Sequence, residues 1–82
     1  MPTTRYFDEQ VPRKRPYLTL RMCRSFIEHP LRRERQEDGR LRFWGELVLS
    51  GDPEKRISRV VTLEDGETVH NAFIDRGFKE EA

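Results

Sequence analysis

The sequence predicts an α+β domain in which one N-terminal helix packs on a four-stranded antiparallel β-meander. Two observations lead to this fold class. One stretch has apolar residues at helical spacing, and after Pro30 the pattern changes to apolar residues at every second position. A chain of 82 residues has room for one hydrophobic core. Its aromatic residues, one Trp, two Tyr and five Phe, are more than a disordered chain usually carries.

The first sixteen residues are interpreted as a basic leader rather than as part of the core. Pro12 and Pro16 enclose a basic triplet, and prolines at this spacing favour irregular chain. The triplet is expected to be either a solvated loop or a phosphate contact. The compact domain is then predicted over residues 17–79, followed by an acidic tail at residues 80–82.

The predicted helix starts after Thr19, a favourable N-cap residue, and ends before Pro30. A helix of about ten residues is marginal alone, so its apolar stripe must pack on the sheet. This stripe consists of Met22, Cys23, Phe26 and Ile27. Because no base lies near Cys23 in sequence, a packed thiol is favoured over a nucleophile.

Four strands are predicted, over residues 31–36, 40–49, 56–63 and 67–74. The tripeptide Glu-Asp-Gly occupies both hairpin turns, at residues 37–39 and 64–66. In each turn a three-residue loop ending in a left-handed Gly gives the better side-chain pairing. It places Glu34 opposite Arg42 in the first hairpin, and Val61 opposite Val69 in the second.

This register assigns each strand residue to one of two faces. The face expected to pack on the helix carries Leu41, Phe43, Leu47, Leu49, Ile57, Val61, Leu63, Val69 and Phe73. The other face is expected to be open and to carry function. It has Arg32, Glu34, Arg42, Trp44, Glu46, Val48, Ser58, Val60, Thr62, Thr68, His70, Ala72 and Ile74.

The net charge of +1 hides a difference between the two halves of the chain. Residues 1–42 hold eleven Lys and Arg against six Asp and Glu, whereas residues 43–82 hold five against nine. A basic half attracts polyanions such as RNA, and an acidic half permits self-association or a basic partner.

Five residues of the predicted open face and its end form a candidate RNA site. His70, with an ordinary pKa near neutrality, is the candidate catalytic acid or base of a metal-free ribonuclease. Arg32, Arg42 and Arg76 are candidate phosphate ligands, and Trp44 is the candidate platform for a base. Two alternatives remain open: His70 is an ordinary surface histidine, and Trp44 belongs to a homodimer interface.

The sequence also indicates which kinds of binding site and which cellular locations are not expected. The sequence has one cysteine and no Cys/His cluster with zinc spacing, so neither a disulfide, a metal nor a cofactor is predicted. No apolar run is long enough to span a bilayer, and the N-terminus lacks the apolar stretch of a secretory signal. A cytoplasmic protein without membrane contact is therefore expected.

The segments Arg40–Gly45 and Arg59–Phe73 resemble a group of short, uncharacterised bacterial proteins. Residues 17–78 also resemble, more distantly, the BrnT-like and RelE-like toxin domains. That resemblance implies a helix ahead of a four-stranded antiparallel sheet and, in active members, cleavage of RNA without metal. It places His70 at the histidine or tyrosine of the last strand, with Arg76 and Lys79 as the basic residues that follow.

The predicted function is therefore an RNA-binding, toxin-type module or a metal-free ribonuclease, with RNA and an antitoxin-type protein as partners. The alternative is a non-catalytic module that uses the same face to bind a protein or a second copy of itself.

Overall fold

The computed structural model describes residues 2–51 and 53–78, and its fold is α+β with two helices and a four-stranded antiparallel sheet. The elements are α1 (Arg5–Lys14), α2 (Leu20–Glu28), β1 (Arg32–Arg35), β2 (Leu41–Leu47), β3 (Arg56–Thr62) and β4 (Val69–Ile74). The strands are neighbours in the order β1-β2-β3-β4, so the predicted meander is confirmed. Lys79 and the acidic tail, residues 80–82, lie outside the described residues.

The segment interpreted as a leader contains α1, so the prediction of a single helix was wrong. The hydroxyl of Thr4 caps this helix by accepting a hydrogen bond from the backbone N–H of Phe7 at 3.2 Å. Phe7 and Val11 are one helical turn apart, and both are buried in the main core. Pro12 lies in the last turn of α1, where the loss of one backbone donor does not prevent the helix from reaching Lys14.

α2 has the predicted position and cap. The hydroxyl of Thr19 accepts a hydrogen bond from the backbone N–H of Met22 at 3.2 Å, and the helix ends two residues before Pro30. Cys23 and Phe26 are its buried residues. We call the face of the sheet that packs on α2 the inner face and the opposite one the outer face.

The first hairpin has the predicted register and the second does not. Glu34 lies opposite Arg42, across a turn in which Gly39 has φ +90°. In the second hairpin Val61 lies opposite Asn71 instead of Val69. The carboxylate of Asp65 there accepts hydrogen bonds from two backbone N–H groups, which lengthens the turn.

The register of this second hairpin shifts again between Val61 and Thr62. Val61 pairs with Asn71, while Thr62 pairs with Val69, so His70 is an extra residue in β4. The bulge changes which β4 residues share a face with β3.

The two faces of β3 are inverted relative to the prediction. Ser58, Val60 and Thr62 are buried on the inner face, whereas Ile57 and Val61 lie on the outer face. The residues of β4 follow: Ala72 and Ile74 are on the inner face and Phe73 is on the outer face. We attribute this to the Phe26 ring, which occupies the space where a Cβ at position 45 would lie and so favours a small residue opposite Gly45 on β3.

The small residues Gly45 and Ser58 lie opposite each other on β2 and β3. They therefore provide the space that the aromatic ring of α2 needs. The hydroxyl of Ser58 remains hydrogen-bonded, because it donates to the carbonyl of Phe73 at 3.3 Å.

The two edges of the sheet differ. Residues 2–4 pair with the start of the β4 edge, where Thr3 forms a parallel bridge with Val69. The Val69 N–H donates to the carbonyl of Pro2 at 3.0 Å, and its carbonyl accepts from the N–H of Thr4 at 2.9 Å. Within residues 2–51 and 53–78, β1 pairs on one side only, with β2. All four of its residues are exposed.

Candidate functional site

Trp44 lies on the outer face as predicted, but it is covered by the chain itself. Only 3% of the residue is exposed. The ring of Phe78 stacks on the indole with 5.5 Å between centroids, and the indole N–H donates a hydrogen bond to Asp75 at 2.9 Å. The structure therefore does not offer the indole to a base or to a second copy of the protein.

Residues 75–78 reach Trp44 because the chain turns immediately after β4. The backbone N–H of Asp75 donates to the carbonyl of Ile57, which extends the pairing with β3 by one residue. The Asp75 carboxylate then accepts from the N–H of Gly77 at 3.0 Å, and this turn places Phe78 over the outer face.

The carboxylate of Asp75 also holds Arg59. Nη2 of Arg59 donates to Oδ2 of Asp75 at 2.7 Å, and Nε donates to the same oxygen at 3.1 Å. Partial burial favours a higher pKa for Asp75, but the hydrogen bonds from Trp44, Arg59 and Gly77, with the charge of Arg59, lower this pKa overall. Asp75 is therefore ionised and links β2, β3 and the segment after β4.

A row of guanidinium groups and aromatic rings crosses the outer face, and we call it the arginine–aromatic ladder. Arg59 lies over Phe73 at 5.0 Å and over Trp44 at 5.5 Å. Arg15 at the C-cap of α1 reaches the Phe73 ring at 5.9 Å, and Arg32 lies 5.8 Å from Phe78. In order, the ladder is Arg15, Phe73, Arg59, Trp44, Phe78 and Arg32.

Two guanidinium groups on this face have donors that the described residues leave unused. Nε of Arg42 and Nη1 of Arg15 are buried without a hydrogen-bond partner. Neither side chain forms an ion pair with a described carboxylate, whereas Arg59 is paired with Asp75, and Arg32 with Glu34 at 3.2 Å. Arg15 and Arg42 are therefore two cations of this face whose charge no described carboxylate neutralises, and a movement of either side chain would turn its buried, unused donor towards an anion.

His70 is not beside Trp44, because its bulge in β4 directs it towards α1. Its Nδ1 is 2.9 Å from the hydroxyl of Thr4, and its ring stacks on Tyr6 with 5.0 Å between centroids. Burial, followed by the positive charge of Arg40, lowers the pKa of His70, and the negative charge of Asp38 acts in the opposite direction. A neutral imidazole is therefore favoured.

The structure brings only some of the predicted site residues together. Arg32 and Trp44 are paired across β1 and β2, and both contact Phe78. Arg42 lies on the same face, opposite Glu34. Arg76 is exposed in the turn after Asp75, and His70 lies against α1.

Sequence reasoning missed three residues of this face: Arg59, Phe73 and Phe78. Arg15 belongs to the basic triplet that was expected to be either a solvated loop or a phosphate contact. With the correct register of β3, Arg59 would have been assigned to the same face as Arg42 and Trp44. Phe78 follows the last strand, where strand periodicity gives no signal.

Three further features of the described residues concern metal binding, Cys23 and membrane-spanning helices. They contain no group of three or more His, Cys, Asp or Glu side chains that could hold a metal ion. Burial raises the pKa of the Cys23 thiol to about 11, as expected for a packed side chain. None of the helices in this part of the chain is long and apolar enough to cross a membrane.

Comparison of the chain with protein-family models, curated proteins and solved structures found no match in any of the three.

Proposed function

We propose that this protein binds single-stranded RNA on the outer face of its sheet. The observation that carries the proposal is the arginine–aromatic ladder, with the unused donors of Arg15 and Arg42 on the same face. Single-stranded RNA is recognised by this combination of chemistry, because guanidinium groups bind phosphates and planar side chains stack on bases.

The contacts on this face suggest a role for each group. Arg15 and Arg42 bind phosphates, since no described carboxylate pairs with either guanidinium, whereas Arg32 and Arg59 are paired with Glu34 and Asp75. Phe73 and Phe78 are half-buried, so part of each ring is accessible to a base. Trp44 supports Phe78 from below instead of meeting RNA directly, which revises the role expected for it.

A RelE-like or BrnT-like toxin assignment remains a further part of this proposal. It is supported by the order of helices before a four-stranded antiparallel meander, which is similarity of architecture alone. Cleavage by His70 would require a second acid or base near it. Tyr6, which stacks on His70, could act as that second acid. Because His70 lies against α1 and not beside Trp44 in the arginine–aromatic ladder, we propose binding as the function and keep cleavage as a measured outcome.

The proposal is tested with a labelled single-stranded RNA of about twelve nucleotides, using fluorescence anisotropy over a range of salt concentrations. The double variant Arg15→Gln/Arg42→Gln is expected to bind at least tenfold more weakly at low salt. Its slope of log K against log salt should fall by about 1.4, at about 0.7 for each lost phosphate contact.

The matched control is Arg13→Gln/Arg21→Gln, which removes the same charge at two exposed positions outside the ladder. If the control weakens binding as much as the double variant, the affinity is due to overall charge and the proposed face is wrong. The same RNA is incubated with wild type and His70→Ala in EDTA. Cleavage that depends on His70 would replace a binding function with a catalytic one.

A further inference from the structure

We infer that the free edge of β1 binds an extended, acidic polypeptide segment as an additional strand of the sheet. This site is separate from the proposed RNA surface, because it uses the backbone of the edge strand and the arginines whose side chains lie on the inner face.

Among the described residues, β1 is a sheet edge that stays unpaired along its whole length. On the opposite edge, residues 2–4 already pair with Val69 at the start of β4. On β1 the described part of the chain supplies no such cover, and all four residues from Arg32 to Arg35 are exposed. A sheet edge of this kind presents backbone donors and acceptors that an extended segment can pair with.

The hydrogen-bond pattern identifies which backbone groups point away from the sheet. The N–H of Gln36 donates to the carbonyl of Arg40 at 2.8 Å, so these two residues form a hydrogen-bonded pair. Such pairs alternate with non-hydrogen-bonded pairs along antiparallel strands, so Glu34 also bonds to β2. The N–H and C=O groups of Arg33 and Arg35 therefore point towards the open side.

The side chains of these same two residues determine the charge of the partner. Arg33 lies opposite Phe43, and Arg35 lies opposite Leu41, so both are on the inner face. The guanidinium of Arg33 lies 5.8 Å from the Phe43 ring. Neither arginine forms an ion pair with a described carboxylate, whereas Glu34 is paired with Arg32 at 3.2 Å. A partner with acidic residues at alternate positions would place them across from Arg33 and Arg35.

A second copy of the protein fits this edge less well than an acidic segment. Because Arg33 and Arg35 carry the outward backbone groups, two copies that paired along β1 in antiparallel fashion would place Arg33 of one copy opposite Arg35 of the other and Glu34 opposite Glu34, and like charges directly across a sheet are unfavourable. Charged edge strands protect proteins against association with identical copies. The positive charge of Arg33 and Arg35 favours a partner with negatively charged side chains.

The test uses the full chain and three synthetic eight-residue peptides. The first alternates Val and Glu. The second has the same sequence with N-methyl groups on every second residue, which removes the backbone donors on one edge. The third alternates Val and Lys. Binding is measured by anisotropy of the labelled peptide, and amide hydrogen exchange of the protein is followed by NMR.

We expect the Val-Glu peptide to bind and to slow amide exchange at Arg33 and Arg35 at least tenfold. The Val-Lys peptide should not bind, and the edge-methylated peptide should bind at least tenfold more weakly. Equal binding of the methylated peptide, or binding without slower exchange at Arg33 and Arg35, would show charge attraction without strand addition and overturn the inference. Absence of binding by the Val-Glu peptide would also overturn it.

The double variant Arg33→Gln/Arg35→Gln should weaken binding of the Val-Glu peptide at least tenfold, while Arg13→Gln/Arg21→Gln should leave it within twofold. Thermal unfolding of each variant establishes that it is folded under the conditions of the assay. Equal effects of the two folded variants would contradict the assignment to β1. RNA binding on the outer face can fail without affecting any of these results.

Discussion

Asp75 shows how one carboxylate fixes the outer face. Its side chain is 11% exposed and accepts hydrogen bonds from Trp44 in β2, Arg59 in β3 and the backbone of Gly77. Hydrogen bonds to charged groups at a partly buried site contribute more than exposed ion pairs do. The ionised form of Asp75 therefore stabilises the position of residues 75–78.

Replacing Asp75 by Asn should lower the free energy of unfolding by about 2 kcal/mol, because the charge opposite Arg59 is lost while side-chain size is retained. Urea unfolding measures this change, and Trp44 fluorescence should shift as the indole becomes more exposed. Glu46→Gln is the control, because Glu46 pairs with Lys55 at an exposed position and should contribute less than about 1 kcal/mol. Equal effects of the two substitutions would contradict the role of Asp75.

His70 should make the stability of the fold depend on pH. Its pKa is lower in the folded protein than the ordinary value of 6.5, so the unfolded chain binds the proton more strongly. The stabilising contribution is complete above pH 6.5 and is lost as the pH falls through the lowered pKa of the folded state.

Urea unfolding between pH 8 and pH 5 should therefore show stability falling on acidification, with a smaller fall in His70→Gln. The matched control is His29→Gln, which replaces the exposed histidine at the C-cap of α2, and a reduction of the pH dependence as large as that in His70→Gln would show that the effect is not specific to His70. An unchanged profile in His70→Gln would show that other groups cause the dependence.

At the scale of elements, the contact between α2 and the sheet depends on a glycine. The Phe26 ring fills the space where a Cβ at position 45 would lie, and Ser58 lies across from Gly45 on β3. Close packing of this kind leaves no room for a methyl group, since interiors are packed as densely as organic crystals. The α2 stripe therefore approaches the sheet closely at this position.

Gly45→Ala should lower the free energy of unfolding by about 1–3 kcal/mol through overpacking against Phe26. Gly77→Ala is the matched control, because the nearest atom to a Cβ there is 3.6 Å away, an ordinary contact. Adding Phe26→Leu to Gly45→Ala should recover part of the loss, and a thermodynamic cycle of unfolding free energies measures the coupling. Additive effects would show that the ring does not limit position 45.

The elements that local signals define were predictable from the sequence. Thr19 and Pro30 mark the limits of α2, and the first Glu-Asp-Gly turn sets the pairing of Glu34 with Arg42. α1 was not predicted because its apolar pattern is weak: its buried residues Phe7 and Val11 lie in a mostly polar segment that contains Pro12. The burial of these two side chains against distant parts of the chain stabilises a helix that local propensity does not favour.

At the scale of the whole molecule, the distribution of residues between the two faces required tertiary information. Val60 and Val61 are adjacent and equally apolar, so hydrophobicity alone cannot orient β3. β3 instead turns Ser58 to the inner face, where this small side chain leaves space for the Phe26 ring. For the candidate site, the sequence identified Trp44, Arg32 and Arg42, but neither Arg59 nor the way residues 75–78 cover Trp44. The position of that segment depends on hydrogen bonds from three different parts of the chain to Asp75.

The pairing of residues 2–4 with β4 has a consequence for how the protein is made. Thr4 and His70 are 66 positions apart in the chain, and Phe7 and Val11 are buried in a core that includes Val69 and Ala72. During translation these apolar residues leave the ribosome long before β4 exists. A contact between such distant residues forms slowly, because the intervening chain loses much entropy when it closes. The apolar residues of the N-terminal segment therefore stay exposed until β4 has been synthesised, and exposed apolar residues favour wrong associations.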